Sequence, residues 1–227
     1  LLIKELAQQA SAYATFMPKP MSKMNGSGMH IHQSLFQGDK NMFFDSDDEH
    51  QLSITGKRFI AGLLHHAPEI TLITNQWVNS YKRLVPGFEA PAFISWAHTS
   101  RSDLIRVPAF KPGHESSMRV EYRAPDPACN PYLAFSVMLA AGFKGIKDEY
   151  PVPPAVEGNV FAMTPDERQS KGIRALPGSL GESIAIAEGS ELLEEALGGH
   201  ILNSVIQNKT MEWDEYRATV TDYERLR

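Results

Sequence analysis

The chain has 227 residues, and its 27 acidic against 22 basic side chains give a formal net charge of -5, which argues against a nucleic-acid surface built from clustered Lys and Arg. Its single cysteine, Cys129, has no internal disulfide partner, and the apolar run Ala134 to Phe143 falls short of the about 20 residues that a membrane span needs, so a secreted framework and a spanning segment find no support. A hydrophobic content of 42% is enough for one sizeable core, and a cytoplasmic protein of one domain is expected.

From the start, LLIKELAQQASAYA has no initiator Met and reads as an amphipathic helix from about Ile3 to Ala14, with Ile3, Leu6, Ala7 and Ala10 on one side, as if the chain began within an element. A strand is expected at Thr15 to Met17. Then comes NGSGMHIHQS, Asn25 to Ser34, which joins a glycine turn to a strand running to about Phe36. Successive strand side chains point to opposite faces, so His30, His32 and Ser34 share one face and Met29, Ile31 and Leu35 the other. Gly26 and Gly28 permit close backbone approach to a ligand, and the N–H groups of such a turn suit an anion.

QGDKNMFFD reads as a turn followed by a short edge strand, and Ser53 is placed to cap a helix carrying Phe59, Ile60, Leu63 and Leu64 that Pro68 interrupts. Asn79 to Pro108 scatters Arg83, Arg101 and Arg106 among turn formers without a helical charge pattern, with strands expected at Ala92 to Ala97 and Leu104 to Val107. Arginine presents a fixed fork of donors suited to carboxylate and phosphate, so in a net-acidic chain these arginines point to capture of an anionic substrate. MRVEYR, Met118 to Arg123, alternates again: Arg119, Glu121 and Arg123 line one face, and Met118, Val120 and Tyr122 the other. A solvated outer face is the competing explanation for that alternation. Asn130 and Pro131 then start a long helix to about Lys147.

After Tyr150 a proline-rich connection leads to Thr164-Pro165-Asp166-Glu167, a capping box, and SLGESIAIAEG, SELLEEALG and TMEWDEYRATVTDYERLR carry helical apolar spacing. Strands concentrate in the first two thirds and helices in the last third, so the fold class expected is α+β, a mainly antiparallel sheet packed with helices.

Four blocks, KPMSKMNGSGMHIHQS (Lys19 to Ser34), NSYKRLVPGFEAP (Asn79 to Pro91), SRSDLIRVP (Ser100 to Pro108) and RVEYRAPDPACNPYLAF (Arg119 to Phe135), resemble in order and spacing the signatures of bacterial-type (type I) glutamine synthetases. The resemblance runs the length of the chain and corresponds to roughly the C-terminal half of such an enzyme, without its small N-terminal β-grasp domain and the first part of its catalytic domain. It implies ligation of ammonia to L-glutamate at the expense of ATP, through a γ-glutamyl phosphate, in a cytoplasmic enzyme of nitrogen metabolism. It also implies a homo-oligomer of stacked rings, a dodecamer in the parent enzyme, with C-terminal helices around Trp213 to Arg227 reaching across subunits.

Residue by residue, the resemblance implies His30 and Glu121 as ligands of a divalent ion, Mg²⁺ or Mn²⁺, at the nucleotide phosphates. His32 and Ser34 match nucleotide-contacting positions, and Arg106 one near the phosphates. Asn25, Gly26, Arg83 and Arg123 match positions that hold glutamate, and Arg101 one that meets both substrate and transferred phosphate. Glu89 matches the glutamate of a flexible loop that closes over the site and helps take a proton from ammonium.

The chain also departs from the pattern. The family's other acidic metal ligands precede the region covered, so the two that remain imply weak metal binding by this chain alone. Ser116 stands near a position where some members have a nucleotide-contacting lysine, and that role is not carried over. Phe161 stands where some members carry an adenylylated tyrosine, so that regulation is not expected. Two further readings are compatible with the same motifs: a γ-glutamyl-amine ligase using an amine such as a polyamine, and a non-catalytic oligomerisation or regulatory domain.

Overall fold

Two side-chain caps set the start of the helices around which the core is built. The computed structural model describes residues 2–227. Ser53 accepts from the Gly56 N–H to begin α2 (Ile54–His65), and Asn130 accepts from the Tyr132 N–H to begin α5 (Pro131–Lys147), which has proline in its first turn. In chain order the elements are α1 (Leu2–Gln9), β1 (Ile31–Gln33), β2 (Phe36–Gln37), β3 (Lys40–Asn41), α2, α3 (Ala67–Thr74), α4 (Val78–Arg83), β4 (Phe93–Ile94), β5 (Trp96–Ala97), β6 (Ile105–Arg106) and β7 (Val120–Tyr122). There follow α5, α6 (Pro165–Ser170), β8 (Arg174–Ala175), α7 (Leu180–Ala187), α8 (Glu191–Leu197), α9 (Gly199–Ala218) and α10 (Asp222–Arg225).

β1, β7, β6 and β5 form one sheet in that order, antiparallel except for the parallel pair of β5 and β6. Two short antiparallel pairs, β2 with β3 and β4 with β8, flank it. One face of the central sheet joins the core through Val120, Tyr122 and Ile105, all fully buried, while the other face carries the charged residues. The α+β class expected from the sequence is the observed one.

Helices α2 and α5 touch backbone to backbone. A Cβ on Gly62 would come within 2.2 Å of the Ala141 carbonyl oxygen, and one on Gly145 within 2.3 Å of the Arg58 carbonyl oxygen. Around this contact Phe43, Phe59, Ile60, Leu63, Val137 and Met138 are removed from water, and each large apolar side chain so buried contributes about 1.5–3 kcal/mol of favourable transfer free energy.

Several local expectations need correction. The first helix stops at Gln9, because Ser11 adopts positive φ and Ala12 caps back onto Ala7, and it buries none of its residues. Thr15 to Met17 forms no strand. The histidine strand is only three residues, Ile31–Gln33, and the chain turns before pairing again at Phe36. The segment expected at Ala92 to Ala97 divides at Ser95 between two sheets, β4 pairing with β8 and β5 with β6. Helix α4 emerges within a stretch that showed no helical charge pattern, and it is the element that carries Arg83. The solvated-face explanation of Met118 to Arg123 fails, since Glu121 is 2% and Arg123 5% exposed.

The α2–α5 contact leaves no room for a methyl group. Gly62→Ala is expected to lower unfolding free energy by about 1–3 kcal/mol or more, measured by urea denaturation. Gly189→Ala, at a position with nothing within 4 Å, should stay within about 0.5 kcal/mol of the parent.

Candidate active site

Antiparallel register places the charged side chains in one line across the sheet. His32 on β1 stands opposite Glu121 on β7, and Glu121 stands opposite Arg106 on β6. Two residues along β7 from Glu121, Arg123 shares its face, and His30 just precedes β1. The side chains converge on the Glu121 carboxylate. His30 Nδ1 lies 2.9 Å from Oε1, Arg123 donates to the same oxygen at 3.1 Å, and Arg106 Nε donates to Oε2 at 2.6 Å. On the outer side of the line, Arg119 Nε donates to His32 Nδ1 at 3.1 Å.

Charge and burial set the protonation of this group. Burial pushes the Glu121 carboxyl up, but the Arg123 and Arg106 guanidiniums outweigh it and hold the group below the usual carboxylate range. For His30, burial and the Arg123 charge outweigh Glu121, and its pKa falls below the ordinary histidine value, which favours the neutral imidazole with a free lone pair.

The glycine turn sits over one end of this line. The Ser27 N–H donates to the Pro18 carbonyl at 2.8 Å and the Met29 N–H to the Pro125 carbonyl at 2.8 Å, so the turn is fastened at both ends. Arg83 reaches beneath it from α4. Its guanidinium donates to the carbonyls of Ala124 at 2.5 Å and Arg123 at 3.1 Å, and burial pulls its pKa down to about 10, leaving it a cation at neutral pH. At Gly28 a Cβ would come within 2.6 Å of that guanidinium and 3.3 Å of His30 Nε2, so a larger residue would fill the space beside both.

A concavity of about 380 Å³ opens here, lined by Asn25, Gly26, Gly28, His30, Arg83, Glu89, Ala90 and Arg123. A second, of about 560 Å³, shares Asn25 and Glu89 with it and is lined by Arg101, its neighbours Thr99, Ser100 and Ser102, and Phe161. The two are contiguous through those shared residues. Arg123 also donates to the Arg101 carbonyl at 3.1 Å, which ties the Arg101 loop to the sheet. Four guanidiniums, from Arg83, Arg101, Arg106 and Arg123, thus stand around two carboxylates, Glu89 and Glu121, and the surplus cations suit an anionic ligand. A further concavity of about 440 Å³ beside Trp96 and Ile173 is mainly apolar and holds none of these residues.

The structure therefore brings together Asn25, Gly26, His30, Arg83, Glu89, Arg101, Arg106, Glu121 and Arg123, with His32 at the edge of the same sheet face. Ser34 lies just beyond the end of β1 and is exposed like His32, while Ile31, Gln33 and Leu35 are half-buried, so the alternation continues past the paired residues. Arg119, which donates to His32, stood on the charged face without an assigned role, and Lys19, which donates to the Met24 carbonyl in the turn, had none either, although both fall inside blocks that carry the resemblance.

His30 and Glu121 suit a divalent ion as part of a shell, one imidazole nitrogen and one carboxylate. Among the described residues no group of three or more His, Cys, Asp or Glu side chains is placed to hold a metal. The remaining positions of a hard cation's shell would fall to phosphate oxygens and water.

Comparison with known proteins decides the family. The family model described as "Glutamine synthetase, catalytic domain" matches residues 1–227. The chain belongs to the glutamine synthetase family. It is 53% identical to glutamine synthetase of Mycobacterium tuberculosis strain H37Rv over 98% of this chain and 50% of that protein. It is 48% identical to that of Methanosarcina mazei over 100% of this chain and 50% of that one. The family member spans about half the length of these relatives. Its fold matches the solved structures titled "Apo GmaS without ligand", with TM-score 0.85 at 32% identity over 99% of this chain and 50% of that one, and "GmaS/ADP complex-Conformation 1", with TM-score 0.87 at 32% identity over 99% and 51%.

Removing the carboxylate that joins Arg106, Arg123 and His30 leaves buried cations without a partner. Glu121→Ala is expected to cost about 3–5 kcal/mol, toward the lower end because Arg106 is partly exposed. The Glu121 carboxyl is depressed in the folded state, so its contribution is present above the ordinary glutamate value of 4.5 and is lost as pH falls through the folded value. Urea unfolding of wild type and Glu121→Gln should therefore differ most near neutral pH and converge on acidification.

Proposed function

We propose that this chain forms the C-terminal part of the catalytic domain of an enzyme that joins ammonia to L-glutamate with ATP, through a γ-glutamyl phosphate. The observation that carries the reading is the line of His30, Glu121, Arg106 and Arg123 beside the cavity that Asn25, Arg83 and Glu89 share. A carboxylate oxygen does not leave its carbon unaided, and phosphorylation by ATP lets it leave as inorganic phosphate when the amine attacks. Electrostatics and positioning dominate such transfers, and this face offers both.

Each residue then has a task. Asn25 and the Gly26 backbone, with Arg83 and Arg123, hold the glutamate substrate. Arg106 offsets charge on the nucleotide phosphates, and His32, kept oriented by Arg119, meets the nucleotide together with Ser34. Arg101, in the adjoining concavity, neutralises the phosphoryl group as it moves from ATP to the γ-carboxylate. Glu89, exposed at the edge of both concavities, takes a proton from ammonium so that the amine lone pair attacks the acyl phosphate. His30 and Glu121 would hold Mg²⁺ or Mn²⁺, which when bound neutralises phosphate charge and orients the triphosphate.

The exposed apolar side chains Val220, Tyr223 and Leu226 near the C-terminal end support assembly into a homo-oligomer. Among the described residues no helix is long and apolar enough to cross a membrane, and a cytoplasmic enzyme is part of the proposal.

The test uses the complete polypeptide that contains this chain, assayed for glutamine and ADP from glutamate, ATP and ammonium. Arg101→Ala is expected to lower kcat by about 10²–10³-fold, the size expected when one donor to developing charge is removed, while Arg83→Ala raises KM for glutamate. Preference for a polyamine over ammonium would replace this reading with that of a γ-glutamyl-amine ligase. Absence of nucleotide binding by calorimetry with ATP and Mg²⁺ would replace it with a non-catalytic domain.

A further inference from the structure

Lys19 is an anomaly: it is only 7% exposed, yet among the described residues no carboxylate lies within ion-pair distance of its ammonium. A buried cation without a counter-ion is costly unless other groups replace its water. Two groups do so. Nζ donates to the Met24 carbonyl at 2.5 Å and lies 3.2 Å from the centroid of the Phe88 ring, in a cation–π contact.

What those groups belong to gives the contact its meaning. Met24 immediately precedes Asn25, and Phe88 immediately precedes Glu89, so one ammonium touches the neighbour of each residue shared by the two concavities. The backbone of Lys19 is also fixed from below. Its N–H donates to Asn79 Oδ1 at 2.7 Å, and its carbonyl accepts from Asn79 Nδ2 at 3.0 Å. Asn79 sits one turn before Arg83 on α4, so the turn and the loop meet at the Lys19 ammonium and the helix at its backbone.

We propose that Lys19 is a positioning residue that tethers the Glu89 loop and the Asn25 turn to each other, with Phe88 as the removable latch of the loop. The proposal rests on the reading of the site given above. This aromatic contact holds the loop near its tip, and beside it Gly87 takes φ +95°, a conformation that eases a hinge there. Lifting Phe88 from the ammonium would free Glu89 to move while Lys19 keeps its hold on Met24. A purely structural lysine would instead stabilise the whole fold without affecting this loop selectively.

Hydrogen exchange on the complete polypeptide separates the two. Lys19→Met, which keeps the apolar stem, is expected to speed exchange of the amides in 87–90 and 24–26 about tenfold, the size a desolvated cation–π contact allows, with exchange in α2 and α5 unchanged. Phe88→Leu, a change in a half-exposed loop that removes only the ring face, should produce the same change at 87–90. Because both variants break one contact, the double variant should exchange no faster there than Lys19→Met alone. Lys19→Arg, still a cation able to stack, should keep the loop near wild type, and KM for glutamate should rise in Lys19→Met more than in Lys19→Arg. If wild type makes glutamine while both Lys19→Met and Phe88→Leu leave exchange at 87–90 as in wild type, or if Lys19→Met speeds exchange uniformly through the core, the proposal is overturned. If the coupled exchange appears but wild type makes no glutamine, the tether stands and the functional reading fails.

Discussion

The Glu121 carboxylate, buried between two guanidiniums and an imidazole, is the contact from which the rest of the candidate site takes its geometry. A charge at 2% exposure is tolerable only with partners on both oxygens. Those partners come from three separate segments: His30 ahead of β1, Arg106 on β6 and Arg123 at the end of β7. Satisfying one carboxylate therefore aligns three parts of the chain that are remote in sequence. The arrangement suits a site better than it suits stability, because a buried ionic cluster yields little net free energy compared with an apolar replacement.

Behind this cluster a second polar layer controls the irregular segment after β7. Asn75 donates to the Ala124 carbonyl at 2.8 Å and to Asp126 at 3.0 Å, while Arg83 donates to the carbonyls of Ala124 and Arg123. Loop carbonyls that would otherwise be buried without partners are thus satisfied from α4 and from the junction between α3 and α4. Arg83 consequently has two duties, one as a structural donor to this loop and one as a cation facing the cavity. That division explains why it is almost wholly buried while Arg101, whose loop is held chiefly through its backbone, is exposed.

Much of the site was legible because its residues sit on short strands whose alternation survives folding. Arg119, Glu121 and Arg123 share a face as the period of two requires, and the Asn130-Pro131 cap opens a helix that runs to Lys147 as expected. Where an element is too short to show a period, the sequence is silent. Helix α4 lay hidden because its six residues, VNSYKR, are too few to show an apolar stripe, and its stability comes from packing and capping contacts elsewhere in the fold.

By itself the sequence determined the family, the residue types available for anion and cation chemistry, and the capped helices, because motifs, caps and side-chain alternation are local properties that the order of residues encodes directly. Only the tertiary structure decided that Glu121 is buried between Arg106, Arg123 and His30, that Asn25 and Glu89 border the same space, and that Lys19 touches both of their neighbours. Those facts depend on strand register and on contacts between segments distant along the chain. Burial and charge pairing arise from that three-dimensional proximity, and no local pattern carries them.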